Sequence, residues 1–174
     1  MSKGKICVLG SEGLLGTAVC KSAKELGYEV IAVDILKEDI NSKNYNDTYY
    51  SIDIIEAIKG KKLSSLYDTI NDLGDLVALI NCILPKFSGD VEAKAISDAC
   101  LKLYGLDHIL CCSLVEALKN IPTEKRKHCK VILTSSIKSR RPPKFWQYEN
   151  TTMTSPGIYG AMKSAINYLI QDMT

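Results

Sequence analysis

The stretch Lys5 to Asp34, KICVLGSEGLLGTAVCKSAKELGYEVIAVD, constrains this chain more than any other. Ile6, Cys7, Val8 and Leu9 form a short apolar run, as expected of a strand buried on both faces. Gly10, Gly13 and Gly16 follow at three-residue spacing. The first lets the chain turn sharply. The second lets backbone approach a pyrophosphate closely, and the third lets a helix pack tightly on a sheet. Free N–H groups at that helix start favour a phosphate anion. Val30 to Val33 read as the next strand, ended by Asp34. That acid lies 18 residues past Gly16, near the roughly 20 expected for a carboxylate that accepts hydrogen bonds from a ribose diol. The bland alternative is a βαβ unit whose glycines serve only the turn. The acid in its place, with strand and helix on either side of the glycines, favours dinucleotide binding.

Composition narrows the class. At 174 residues, the chain suits one domain with a substantial core. A net charge of +2 argues against a dedicated nucleic-acid binder. The apolar run Leu76 to Leu84 is far short of the ~20 residues that span a membrane. The N-terminus leads straight into the first strand, so no signal peptide is expected. Seven cysteines are scattered without a CxxC, which suggests reduced core thiols and a cytoplasmic location. His108 and His128 share no ligand spacing, so no metal site is expected.

Strand and helix patterns alternate along the chain. Leu14 to Leu26 reads as a helix, with Leu14, Leu15, Val19 and Ala23 near one face and Gly27 as its cap. Lys37 lies just past Asp34; the acid would repel a 2′-phosphate, so NAD is favoured over NADP. Asn41 to Asp47 reads as a loop, and Tyr49 to Ile52 as a third strand followed by Asp53. Ile54 to Leu73 carries helical spacing broken near Gly60. Asp75 to Ile83 is a strong strand, Val91 to Leu118 a long helical stretch, and Pro122 to Lys130 a basic loop with solvated charges. Val131 to Leu133 is a fifth strand running into Thr134, Ser135 and Ser136. Lys138 to Pro156 is a candidate substrate loop, in which Arg140, Arg141 and Lys144 are more simply solvated than placed to meet an anionic sugar acid. Gly157 to Met173 is the last helix. The expected fold is α/β: a doubly wound parallel sheet with helices on both faces, in three layers, binding its ligand at the carboxyl ends of the strands.

A second stretch carries chemistry. On a helix, Tyr159 and Lys163 lie one turn apart on one face. A neighbouring ammonium stabilises phenolate and lowers a phenol pKa that is normally near 10. Tyr159 then becomes a workable general acid/base for a carbinol–carbonyl pair. Ser136, at a strand end, can donate a hydrogen bond to the substrate oxygen.

On these motifs the chain resembles the short-chain dehydrogenase/reductases, which have a Rossmann fold. The resemblance implies catalytic roles for Ser136, Tyr159 and Lys163. Tyr159 would move the proton, Lys163 would lower its pKa and hold the nicotinamide ribose, and Ser136 would orient the carbonyl. Cofactor contacts are implied at Gly10, Gly13, Leu14, Leu15 and Gly16, and at Asp34, with Asp53 against the adenine. Asn81 matches the start of an NNAG-like motif. GSEGLLG, NCILP and YENTTMTSPGIYGAMK resemble the branch of flagellin-modification or nonulosonic-acid biosynthesis oxidoreductases. A small, sugar-derived substrate and assembly as a homodimer or homotetramer, through the Val91–Leu118 and Gly157–Met173 stretches, are implied as well.

Two departures accompany the resemblance. Tyr104 stands where the family's relay Asn is expected. The sequence ends at Thr174, before the further strands and helical lid of family members, so a domain truncated at its C-terminus is expected. A non-enzymatic Rossmann cofactor-binding or interaction protein is the alternative. An extended-type sugar-nucleotide epimerase shares the same GxxGxxG turn.

Overall fold

The structure is a computed structural model; it describes residues 3–40, 43–59, 67, 73–83, 106, 111–125, 127–135 and 163–165. The chain divides into two compact units: Met1–Leu84 with Leu110–Leu133, and Pro85–Ile109 with Thr134–Thr174.

The first unit holds the sheet. Its strands are β1 (Lys5–Leu9), β2 (Glu29–Asp34), β3 (Thr48–Ser51), β4 (Leu76–Asn81) and β5 (Lys130–Leu133), in the order β3-β2-β1-β4-β5. Every pairing is parallel. This is the Rossmann-like α/β sheet that the sequence predicts. The central strand β1 is buried along all five residues, which explains its unbroken apolar run. Its side chains alternate between the faces. Ile6 and Val8 pack with Val30, Ala32 and Ala78 against Cys20 and Ala23 of helix α1 (Leu14–Glu25). After β3 the chain crosses to the other side of β1, so the strand order reverses between β1 and β4. In open sheets of this kind the ligand crevice lies outside the carboxyl ends at such a reversal.

Helix α1 ends as Gly27 suggests. Tyr28 N–H donates to Ala23 O at 3.1 Å and Gly27 N–H to Lys24 O at 3.0 Å, the paired bonds of a Schellman cap. Its buried face differs from the expected one: Gly16, Cys20 and Ala23 are inside, while Leu14 and Leu15 are exposed.

Local differences are small. Residues 43–45 of the expected loop form one 3-10 turn, and the stretch after Asp53 begins as helix α2 (Ile54–Lys59). The basic loop before β5 contains a 3-10 turn, Thr123–Lys125, and is anchored: Lys127 N–H donates to Gly74 O at 2.7 Å and Lys127 Nζ lies 3.3 Å from Asp75. Residues 111–119 are helical, as is Tyr67, a buried residue whose phenol lies beside the Ser113 hydroxyl. In the second unit Leu106 and residues 163–165 are helical, and Leu106, Lys163 and Ser164 are buried. Among the described residues no helix is long and apolar enough to cross a membrane.

Candidate functional site

The strands end level with one another: Leu9 pairs with Val33 and with Asn81, Asn81 with Leu133, and Asp34 with Ser51. Around this edge the glycine turn is built. Gly10 has φ +76°, a conformation that costs glycine little and other residues more. Its N–H still donates to Val33 O at 2.8 Å, so the turn starts while paired to β2. Gly16 is where α1 rests on the turn: a Cβ there would lie 2.0 Å from Gly10 O and 2.8 Å from Ser11 Cα. The Thr17 hydroxyl secures the same contact by donating to Ser11 O at 3.0 Å.

Gly13 has the opposite surroundings. It is the N-cap of α1 in ordinary extended conformation, and only Gly10 O, at 3.3 Å, stands near its Cβ position. No side chain caps the helix and no acid lies in its first turn. The first N–H groups of α1 therefore point out over an open glycine, as an anion requires. Gly10 thus makes the turn and Gly16 the close packing, while Gly13 leaves the helix start open.

Asp34, nearly buried, ends β2 under this turn. Its Oδ2 accepts the Glu12 N–H at 2.9 Å and its Oδ1 the Leu36 N–H at 3.0 Å. Each carboxylate oxygen keeps a further lone pair, so two hydroxyls of a ribose could still be accepted. Asp53 accepts the Glu56 N–H at 3.0 Å and so caps α2 at the carboxyl end of β3. Asn81 is buried at the end of β4, where its Oδ1 accepts the Ile83 N–H at 3.0 Å and shapes the turn beside Gly10. Lys163 belongs to the second unit; Ser136 and Tyr159 lie outside the described residues.

Three groups at this edge escape the sequence reading. Tyr49 of β3 donates its hydroxyl to Leu36 O at 2.9 Å. Burial, then the Glu12 and Asp34 carboxylates, push this phenol well above its ordinary pKa, and the Ser11 hydroxyl opposes the rise. Ser11 itself is buried and its Oγ meets no partner at hydrogen-bond geometry. The backbone N–H of Glu12 carries no sequence signal at all. For Tyr49 the signal was its place in TYYS, where alternation turns a phenol toward the helix-covered face. Among the described residues no group of His, Cys, Asp and Glu is placed to hold a metal.

The model of the NAD dependent epimerase/dehydratase family matches residues 6–174. The chain belongs to that family. No curated protein sequence matches it. Among solved structures, the UDP-glucose 4-epimerase of Bifidobacterium longum, in complex with NAD+ and UDP, is similar at 18% identity and a TM-score of 0.73, over 97% of this chain and 48% of that one. The UDP-N-acetylglucosamine 4-epimerase of Methanobrevibacter ruminantium is similar at 16% identity and a TM-score of 0.71, over 99% of this chain and 51% of that one. An NAD-dependent NDP-hexosamine 5,6-dehydratase of tunicamycin biosynthesis follows at 15% identity and a TM-score of 0.67, over 98% and 50%. At such identities these likenesses show the fold, and the chain spans about half the length of these relatives. The family match replaces the broader dehydrogenase/reductase resemblance with its epimerase/dehydratase branch. The flagellin-modification branch finds no support among these relatives. The site fits the family's dinucleotide on its own geometry: an uncapped helix start over an open glycine, and a carboxylate with lone pairs to spare.

Proposed function

We propose that this chain binds NAD along the carboxyl edge of the sheet. In the same reading it belongs to an enzyme that interconverts a hydroxyl and a carbonyl on a sugar nucleotide. The observation that carries this reading is the uncapped start of α1 at Gly13 facing the Asp34 carboxylate. The pyrophosphate would lie on the first turn of α1 and the adenosine ribose on Asp34, with Asp53 and Asn81 flanking. NAD, when bound, supplies a hydride acceptor. The chain's own chemistry is proton transfer: Tyr159 takes or returns the hydroxyl proton, Lys163 favours its phenolate, and Ser136 orients the reacting oxygen. The burial of Lys163 supports that role, because a charge shielded from water acts more strongly on whatever phenol it neighbours. Sugar nucleotides are favoured as substrates because the similar solved structures are enzymes of that class. A role in nonulosonic-acid or flagellin modification would be one case of it, and homodimer or homotetramer assembly belongs to the same reading.

The test uses the 174-residue chain with NAD and then with UDP-sugars. Calorimetry should detect NAD binding, and Tyr159→Phe should keep it while lowering turnover by about 10²–10⁴-fold. Absence of NAD binding at millimolar cofactor would refute the reading, as would a Tyr159→Phe variant with unchanged turnover.

A further inference from the structure

The Asp34 carboxylate is held by a bracket drawn from three segments. Glu12, in the glycine turn, gives its N–H to Oδ2 at 2.9 Å. Leu36, in the loop after β2, gives its N–H to Oδ1 at 3.0 Å. The carbonyl of the same Leu36 accepts the Tyr49 hydroxyl from β3 at 2.9 Å. Thus Tyr49 grips one side of a residue whose other side grips Asp34. Beside the phenol stands Ser11, 1% exposed, with an Oγ that has no partner at hydrogen-bond geometry. Buried hydroxyls are normally paired, and the nearest partner on offer to Ser11 is this phenol, which already feels its hydroxyl. The phenol oxygen spends its proton on Leu36 and keeps lone pairs, so it is an available acceptor for the Ser11 hydroxyl.

We propose that Tyr49 is a positioning residue that holds Asp34 in the plane needed to grip the adenosine ribose diol, with the Ser11 hydroxyl beside the phenol supporting it. This rests on the NAD reading above. The ring of Tyr49 packs against the cluster under α1, and a phenylalanine would keep that packing. Only the hydroxyl reaches Leu36. Without it residue 36 is tied to β3 by one bond fewer, and the Leu36 N–H is held less firmly on Oδ1. A diol needs both carboxylate oxygens in register; a sugar lacking the 2′-hydroxyl needs one. The phenol therefore acts on the part of cofactor affinity that comes from the diol.

The experiment is calorimetric titration of the wild-type chain, Tyr49→Phe and Ser11→Ala with NAD and with its 2′-deoxyadenosine analogue. Tyr49→Phe should weaken NAD about five- to tenfold and the analogue less than about twofold, the loss of one well-placed hydrogen bond expressed only on the diol. Ser11→Ala should shift the same ratio by about two- to threefold. Equal weakening of both ligands, or of neither, overturns the proposal. If Tyr49→Phe fails to fold, as judged by its melting curve, the Ser11→Ala ratio decides: an unchanged preference overturns it. A wild-type chain that binds neither ligand refutes the cofactor reading itself, and the positioning role falls with it. A wild-type chain that binds NAD beside variants with unaltered preference refutes the positioning role alone.

Discussion

Alanine at Gly16 and at Gly13 should separate packing from binding within a single turn. At Gly16 the added methyl would lie 2.0 Å from Gly10 O, 2.8 Å from Gly10 C and 2.8 Å from Ser11 Cα. An ordinary contact is about 3.5 Å, so the nearest atom is about 1.5 Å too close. All three neighbours are backbone, so no rotamer change relieves them. Either α1 lifts off the turn or the turn opens. Overpacking costs about 1–3 kcal/mol when side chains can yield, and here they cannot, so about 3 kcal/mol or more is expected. At about 2–4 °C per kcal/mol for a chain of this length, Tm should fall by about 6–12 °C. NAD binding should fall with it, because Gly10, Ser11 and Glu12 are the atoms displaced.

Gly13→Ala should do the reverse. Its φ of −73° and ψ of 161° suit any residue, and its only close neighbour is Gly10 O at 3.3 Å. A slight tightness there is offset by the lower entropy of the unfolded chain, about 0.4–1 kcal/mol, so Tm should stay within about 2 °C of wild type. The methyl stands where a phosphate approaches the first N–H groups of α1. Losing one charge-assisted hydrogen bond, about 1.5–3 kcal/mol, should weaken NAD by about tenfold or more. Differential scanning fluorimetry and calorimetry read the two quantities. A Gly16→Ala protein that melts with wild type would refute the close contact. A Gly13→Ala protein that binds NAD as wild type would refute the anion site.

Further outcomes follow from groups around the sheet. Asp47 is pushed up by burial, but its hydrogen bond to Lys24, the Val30 N–H at 2.8 Å and the Lys24 charge outweigh this and hold its pKa below 3.8. Its stabilising effect is therefore present above that pH and lost as pH falls through the folded value; Asp47→Asn should lower Tm at pH 7 and matter progressively less as pH falls below the folded value. Asp53→Ala should remove the α2 cap and cost about 1 kcal/mol in urea unfolding, while Asp53→Asn should keep most of it. Burial pushes the Cys20 thiol up to about 12 and Cys129 to about 11, and raises fully buried Cys7 as well, whereas Cys112 is exposed. Iodoacetamide at pH 8 should modify Cys112 before these three, as peptide mass mapping would show; early labelling of Cys7 would contradict its burial.

The fold was legible because its signals are local and repeated. The buried run at β1, the glycine turn, the Gly27 cap and the acid ending β2 each have one physical cause, and all point to the same βαβ unit. The helix face was misjudged for a reason of the same kind. Periodicity assigns Leu14 and Leu15 to the core face, but the helix turns Gly16, Cys20 and Ala23 inward instead. The place of Asp34 at the end of β2 was legible. The two backbone donors that orient it were not, because Glu12 and Leu36 act through their peptide groups, and any residue offers the same N–H. Tyr49 was hidden because a strand tyrosine usually serves as packing, and its phenol matters here only through the carbonyl it meets.

The exposed leucines and the missing cap form one argument when taken together. A helix normally opens with Ser, Thr, Asp or Asn, whose side chain satisfies an orphan N–H. Helix α1 opens with Gly13, carries no acid in its first turn and leaves Leu14 96% exposed. Each is unfavourable for an isolated fold: a helix start without a side-chain cap, a first turn without an acid and an apolar side chain in water. All three are relieved by a single occupant with an anionic centre and an apolar flank. A dinucleotide has both, in its pyrophosphate and its ring systems. The energy that the free chain forgoes at this turn is therefore available to binding, which is why substitutions there should show in cofactor affinity before they show in stability, Gly16 excepted.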